Sequence, residues 1–134
     1  MTFELDLRLF FFSLEPNVHS ADVWGHNTSS TSIFIQWETV PPTDQNGTIL
    51  NYSVIYKALP DGSPQTKVVS APTTQVTLAG LNEYTNYSIT VFASNVHGNG
   101  KSSYPIVVVT DENSKYWTAL YIFFSYLTLT FYRL

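Results

Sequence analysis

The sequence contains no cysteine among its 134 residues. This absence excludes a disulfide framework, a zinc site built from thiolates and a cysteine nucleophile. It does not identify the compartment, because some secreted folds are stable through packing alone.

Charged residues are also scarce, at 12% of the chain, and their net charge is −4. No basic stripe is present that would neutralise a phosphate backbone, so nucleic acid is not expected as a partner. Aromatic residues, by contrast, make up 16% of the chain, and such a composition argues against disorder. The length indicates one domain with short extensions, large enough to bury its own core.

Motifs of catalytic or metal-binding chemistry are absent as well. The histidines His19, His26 and His97 lack the spacing of H-E-x-x-H or a similar motif, and no G-x-S-x-G occurs. His19 and Asp22 could approach each other on one strand, although a solvated surface pair is the favoured interpretation. The carboxylates are scattered along the chain. We therefore predict a protein that is not an enzyme, with no catalytic residues, no metal and no cofactor.

The main positive signal is the alternation of apolar and polar residues in short segments that turn residues separate. No segment before Lys115 has the 3.6-residue apolar period of a helix. Strands that recur at short intervals with turns between them predict an all-β sandwich or barrel. The residues expected on the inward faces are Ile33, Ile35, Trp37, Tyr52, Val54, Tyr56, Val76, Leu78, Tyr87, Ile89, Val91 and Ala93.

A Gly-x-Gly at Gly98 and Gly100 raises the alternative of a phosphate-binding loop. Such a loop must follow a strand and begin a helix, so that its amide N–H groups point at the anion. The residues after Gly100 are strand-like and include Pro105. A hairpin turn that needs glycine is therefore the favoured interpretation.

The segment from Leu81 to Gly100 reads LNEYTNYSITVFASNVHGNG and, with Trp37 and NGTILNYSVIY, carries a family resemblance. It is similar to the fibronectin type III pattern Leu-x-Pro-x-Thr-x-Tyr-x-Val-x-Val-x-Ala-x-Asn, followed by Gly-x-Gly. Glu83 stands where proline is usual in that family. The resemblance covers residues 16–112, which we expect to form one domain. The matching positions are Leu81, Thr85, Tyr87, Ile89, Val91, Ala93, Asn95, Gly98 and Gly100.

The resemblance implies an all-β fold, namely a seven-stranded Greek-key β-sandwich of the immunoglobulin-like type. Trp37, Tyr52, Leu81 and Tyr87 are then expected to be structural. In such sandwiches a tyrosine near the start of the sixth strand hydrogen-bonds to backbone a few residues upstream. Tyr87 is in the position to do so.

The implied function is that of an extracellular, non-catalytic protein–protein interaction module in a cell-adhesion or receptor protein. Similar repeats occur in cell-adhesion receptors and receptor-type phosphatases. The expected partners are other extracellular or cell-surface proteins and, if the chain is part of a longer protein, adjacent domains. Two alternatives stay open: a passive structural spacer in a larger multidomain protein, or an appendage of a receptor tyrosine phosphatase or secreted hydrolase. Neither an Arg-Gly-Asp motif nor a Trp-Ser-x-Trp-Ser box is present.

Four Asn-x-Ser/Thr sequons, at Asn27, Asn46, Asn51 and Asn86, predict N-glycosylation if the chain enters a secretory compartment. Asn51 and Asn86 each precede an inward tyrosine, so alternation points both asparagines outward. The sequons agree with an extracellular location.

The N-terminal residues 1–15 form a leader or a weak signal-like segment. Their apolar run, Leu9 to Phe12, is short, and Glu4 and Asp6 stand where a signal peptide needs basic residues. A stray leader at a fragment end is the alternative.

The C-terminal residues 113–134 form an apolar tail, without charge from Tyr116 to Tyr132, for which we expect a short apolar helix. A helix of this length comes close to the ~30 Å hydrocarbon core of a bilayer. We therefore predict a candidate transmembrane anchor, single-pass with the sandwich outside, at the plasma membrane. A glycolipid-anchor signal and a non-native extension are the alternatives.

Overall fold

The computed structural model describes residues 23–112 and 114–131, and it confirms the all-β prediction. Within these residues the chain forms two antiparallel sheets followed by one helix. The leader assigned to residues 1–15 and the pair His19 and Asp22 lie outside the described residues. The strands are β1 Val23–Ser29, β2 Ser32–Trp37, β3 Asn51–Ala58, β4 Gln65–Ser70, β5 Gln75–Ala79, β6 Asn86–Asn95, β7 Gly98–Asn99 and β8 Ile106–Val109.

One sheet has the strand order β1-β2-β5, and the other has the order β4-β3-β6-β7, with β8 also paired to β6. Between β7 and β8 the pairing with β6 continues through single bonds, since the Gly100 N–H donates to the Ala93 carbonyl and the Ser103 N–H to the Val91 carbonyl. Taken as one interrupted edge strand, β7 and β8 complete the predicted seven-stranded sandwich. Gly98 has a φ of 147° and pairs with Asn95 across a hairpin, and the next element after β7 is the strand β8, as expected for a hairpin turn rather than a phosphate-binding loop.

The core lies between the sheets, because alternate side chains of each strand point to opposite faces. All the inward positions predicted from alternation belong to it: Tyr56 and Val76 are half-buried and pack against the core, and the others are buried. Val23, Val40, Ile49 and Leu81 complete the core.

The strand β1 is absent from the sequence-based expectations, because after the buried Val23 its inward positions carry Gly25 and Asn27 instead of apolar residues. At Gly25 a Cβ atom would lie 2.5 Å from Ile35 Cδ1 and 2.9 Å from the Phe34 carbonyl oxygen. The close approach of β2 therefore requires glycine there, and glycine removes the apolar half of the alternating pattern.

The sequence pattern of residues 66–81 predicts one strand. The segment instead contains most of β4 and all of β5. The two strands belong to different sheets. The turn between them, at Ala71 to Thr74, carries the chain from one sheet to the other, a step that alternation alone does not reveal.

The expected C-terminal helix is α1, Ser114–Phe131, a segment that contains neither proline nor glycine. Its described side chains, Thr118 to Leu127, are exposed. Among the described residues, no helix combines the length and hydropathy that a membrane crossing requires. The anchor role assigned to residues 113–134 stays a prediction.

Candidate interaction surface

The corner between β5 and β6 is held by hydroxyl groups. The hydroxyl oxygen of the buried Tyr87 accepts a hydrogen bond of 2.9 Å from the Asn82 N–H. Thr110 is buried beside it, and its hydroxyl donates to the Asn82 carbonyl at 2.8 Å while accepting from the Thr85 N–H at 3.0 Å. Glu83, at the usual proline position, accepts a bond from the Thr85 hydroxyl through its carbonyl. These contacts make Tyr87 part of a structural corner.

The other residues expected to be structural, Trp37, Tyr52 and Leu81, are also buried. The rings of Trp37 and Tyr52 pack at a centroid distance of 5.3 Å. Burial raises the pKa of the Tyr52 hydroxyl above 10.0, and a backbone hydrogen bond at Val40 opposes this shift. Among the described residues, the Trp37 Nε1–H has no hydrogen-bond partner. None of these side chains is presented to a partner molecule.

The four sequon asparagines differ in accessibility. Asn46 and Asn86 are exposed. Asn27 is half-buried, and its amide donates to Asp111 Oδ1. Asn51 is half-buried in a central strand, between Ser70 of β4 and Ser94 of β6. Alternation alone treats these positions as equivalent, whereas neighbouring strands cover Asn51 and the chain after β8 holds Asn27.

Two loops at one end of the sandwich are joined by the side chain of Asn95, which is 6% exposed. Its Nδ2 donates to the carbonyls of Gln45 (3.1 Å) and Asn46 (3.2 Å), in the loop between β2 and β3. Its Oδ1 accepts from the N–H groups of His97 (2.8 Å) and Gly98 (3.2 Å), in the β6–β7 hairpin. One buried amide therefore fixes both loops relative to each other.

The surface that these loops form, residues 41–48 and 96–97, is called the loop-end surface below. Gln45 supports it from within, because its Nε2 donates to the Val40 carbonyl at 2.7 Å. Val96 is 73% exposed at the tip of the hairpin. Pro41, Pro42 and His97 are exposed as well. Binding residues are disproportionately found on loops that a scaffold positions, so the loop-end surface is the candidate for a contact.

A concave region, with a volume of about 220 Å³, lies beside the corner between β5 and β6. Tyr56 lines it, and the Tyr56 hydroxyl donates to Gln65 Oε1 at 3.0 Å. Its lining contains no histidine and no carboxylate. In the described part of the chain, no group of three histidine, cysteine or acidic residues could hold a metal ion.

Sequence reasoning did not assign a role to Asn95, to Val96 or to Trp24. Asn95 fills a position of the family pattern, which was the one available signal for its importance. Val96 stands out only as an apolar residue next to a Gly-x-Gly turn. Trp24 belongs to β1, which the alternation does not predict.

The fibronectin type III domain model matches residues 18–109. The chain is 37% identical over 94 residues to Protein sidekick-1 of Gallus gallus, which covers 69% of this chain and 4% of that protein. It is also 37% identical over 87 residues to Receptor-type tyrosine-protein phosphatase F of Mus musculus, covering 61% of this chain and 5% of that protein. The chain thus spans a small part of the length of both relatives.

Among solved structures, the fold is similar to the crystal structure of chicken CNTN1 FN1-FN3 domains. The TM-score is 0.64 at 28% sequence identity, and the match covers 72% of this chain and 32% of that chain. The β-sandwich thus has a solved counterpart.

Proposed function

Because the chain belongs to the fibronectin type III family, we propose that it is a non-catalytic module of an extracellular adhesion or receptor protein. In this proposal the module binds another cell-surface protein through the loop-end surface. The relatives named above are longer proteins of the cell surface, and their similarity to this chain supports the cell-surface setting.

The observation that carries the proposal is the bonding of Asn95 to both loops. Association costs free energy whenever a loop must be ordered on binding. Here a buried amide orders both loops in the absence of a partner. The exposed side chain of Val96 can then enter an apolar depression on a partner without further loss of loop entropy.

The test uses the full chain, secreted from eukaryotic cells and screened against an array of cell-surface ectodomains. We expect at least one ectodomain to be captured, and Val96→Asp to abolish its capture. The matched control is Val68→Asp, because Val68 is an exposed valine on β4 and belongs to neither loop. Equal binding by both variants and the parent would refute the loop-end surface as the contact.

The spacer alternative makes the opposite prediction for the same array. A passive spacer, or an appendage of a receptor phosphatase or secreted hydrolase, would capture no ectodomain in any variant. Such a result, obtained with a folded parent chain, would replace the binding proposal by the spacer proposal.

We extend the proposal to glycosylation, with Asn46 and Asn86 as the accessible sequons. Asn46 belongs to the loop-end surface, so a glycan on it would border the proposed contact. Removal of the sequon by Thr48→Ala should reduce the glycosidase-sensitive mass by one glycan and strengthen capture of the partner. Asn86→Gln should remove one glycan without an effect on capture. Identical electrophoretic mobility with and without glycosidase would refute this extension.

The apolar tail extends the proposal to the membrane. Residues 116–132 carry no charge, and the described apolar side chains of α1 are exposed to solvent in the isolated chain. We propose that the tail tethers the module to the membrane, with the sandwich outside. Carbonate extraction of membranes from expressing cells tests this role: the chain should stay in the pellet, and its release into the supernatant would refute the tether.

A further inference from the structure

The outer face of the three-stranded sheet is an ordered grid of aromatic and uncharged polar side chains. Cross-strand pairing sets Trp24 beside Gln36, and Gln36 beside Gln75. The next row sets His26 beside Phe34, and Phe34 beside Thr77. These two rows, Trp24-Gln36-Gln75 and His26-Phe34-Thr77, are called the three-stranded face below.

The aromatic residues of this face are not needed for the core, which the opposite faces of the same strands already fill. Trp24 is nevertheless 43% exposed, and the rings of His26 and Phe34 lie 5.4 Å apart beside it. The exposed part of a large aromatic side chain retains the free energy that its burial would release. The exposed aromatic and amide side chains together form a surface on which the flat face of a small ligand can stack.

The absence of charged side chains on the face indicates which kind of ligand it can bind. None of the six residues is acidic, lysine or arginine, although the whole chain has a net charge of −4. A strongly charged ligand would lose its hydration there without gaining an opposite charge. The matching ligand is therefore electrically neutral. The exposed sequons Asn46 and Asn86 lie outside this sheet, so the chain's own glycans at those positions would not originate on the face.

The size of the face argues against a protein as the ligand. Three strands about 4.8 Å apart, with two rows of side chains about 7 Å apart, give a platform of roughly 100 Å². A stable protein complex buries about 800 Å² on each partner. The platform matches a flat ligand of a few rings. It is too small to form an interface between two copies of this chain unless other residues also take part.

We propose that the three-stranded face binds a neutral oligosaccharide. A sugar ring has a C–H face, which can stack on the negative π-face of the Trp24 indole, and a rim of hydroxyl groups. The amides of Gln36 and Gln75 offer donors and acceptors for this rim. In the described part of the chain neither amide has a side-chain hydrogen-bond partner. The site is independent of the loop-end surface.

The test is an NMR titration of the isotope-labelled full chain with two neutral probes, chitohexaose and maltohexaose, and one anionic probe, a heparin hexasaccharide. We expect a neutral probe to shift the Trp24 indole N–H and the side-chain amides of Gln36 and Gln75. Trp24→Ala should weaken this binding by about tenfold or more, which corresponds to ~1.4 kcal/mol. Trp24→Phe should retain part of it, because a π-face remains.

The matched control is Tyr104→Ala, which removes another exposed aromatic side chain from a segment outside the three-stranded sheet. It should leave binding unchanged, and circular dichroism should show all variants folded. No shift with either neutral probe up to about 10 mM, a range that covers weak millimolar binding, would overturn the proposal. Preference for the anionic probe would overturn it as well. So would self-association of the parent that Trp24→Ala abolishes, because a second copy would then cover the face.

Discussion

The substitution Asn95→Ala is the most informative perturbation of the loop-end surface. The Asn95 amide makes at least four hydrogen bonds, two to loop carbonyls and two from hairpin N–H groups. A protein hydrogen bond contributes about 0.5–1.5 kcal/mol net, which gives roughly 2–6 kcal/mol for four. Water can reach the Asn46 carbonyl, because Asn46 is exposed, so part of the loss is recovered. We expect a loss of about 2–4 kcal/mol in the free energy of unfolding.

The assay is urea unfolding of parent and variant, compared at equal m-values so that a change of midpoint reports stability. The matched control is Asn99→Ala, since the Asn99 side chain accepts one bond, from the Ser94 hydroxyl at 2.8 Å. That control should cost about 1 kcal/mol or less. Hydrogen exchange supplies a local readout, because the His97 and Gly98 N–H groups lose their acceptor in Asn95→Ala.

The reasoning would be refuted by a loss below about 1 kcal/mol in Asn95→Ala, or by unchanged protection of His97 and Gly98. Either result would mean that the two loops keep their arrangement without the amide. The proposal that loops ordered in advance favour binding would then have no support. Val96→Asp would still test whether the loop-end surface contacts the partner.

Three further predictions concern the core and the corner. Trp37→Ala should cost about 3–5 kcal/mol, because the indole is 1% exposed; a cooperative thermal transition within a few degrees of the parent would contradict this. Tyr87→Phe removes the acceptor of the Asn82 N–H and should cost about 1–3 kcal/mol; unchanged hydrogen exchange at Asn82 would count against the corner. The raised pKa of Tyr52 means that its neutral form is favoured in the folded state. The free energy that this preference contributes to folding is complete below pH 10.0 and is lost as the pH rises through the folded-state pKa. Tyr52→Phe should therefore flatten the loss of stability that urea unfolding shows at alkaline pH. An identical pH profile of stability in parent and variant would refute the assignment of this loss to Tyr52.

Much of the sandwich follows from local chemistry that is visible in the sequence. A side-chain period of two marks the inward residues of β2, β3 and β6, because one face of each strand must be apolar to reach the core. Turn residues such as the glycine at Gly98 mark where the chain reverses. The corner tyrosine, Tyr87, could be identified from the family resemblance, because sandwiches of this type carry such a tyrosine near the start of the sixth strand.

Contacts between residues distant in the sequence were decided by the tertiary structure alone. The Asn95 side chain donates to carbonyl oxygens 50 and 49 positions earlier in the chain, and no local pattern encodes such a separation. Trp24 lies on the outer face because β1 pairs with β2 in this register, and the missing Cβ of Gly25 lets the two strands approach. The sequence by itself determined which residues are apolar and at what spacing. Only the packing of the two sheets decided which polar groups are buried together and which aromatic residues remain on the surface, because these depend on strand order and register.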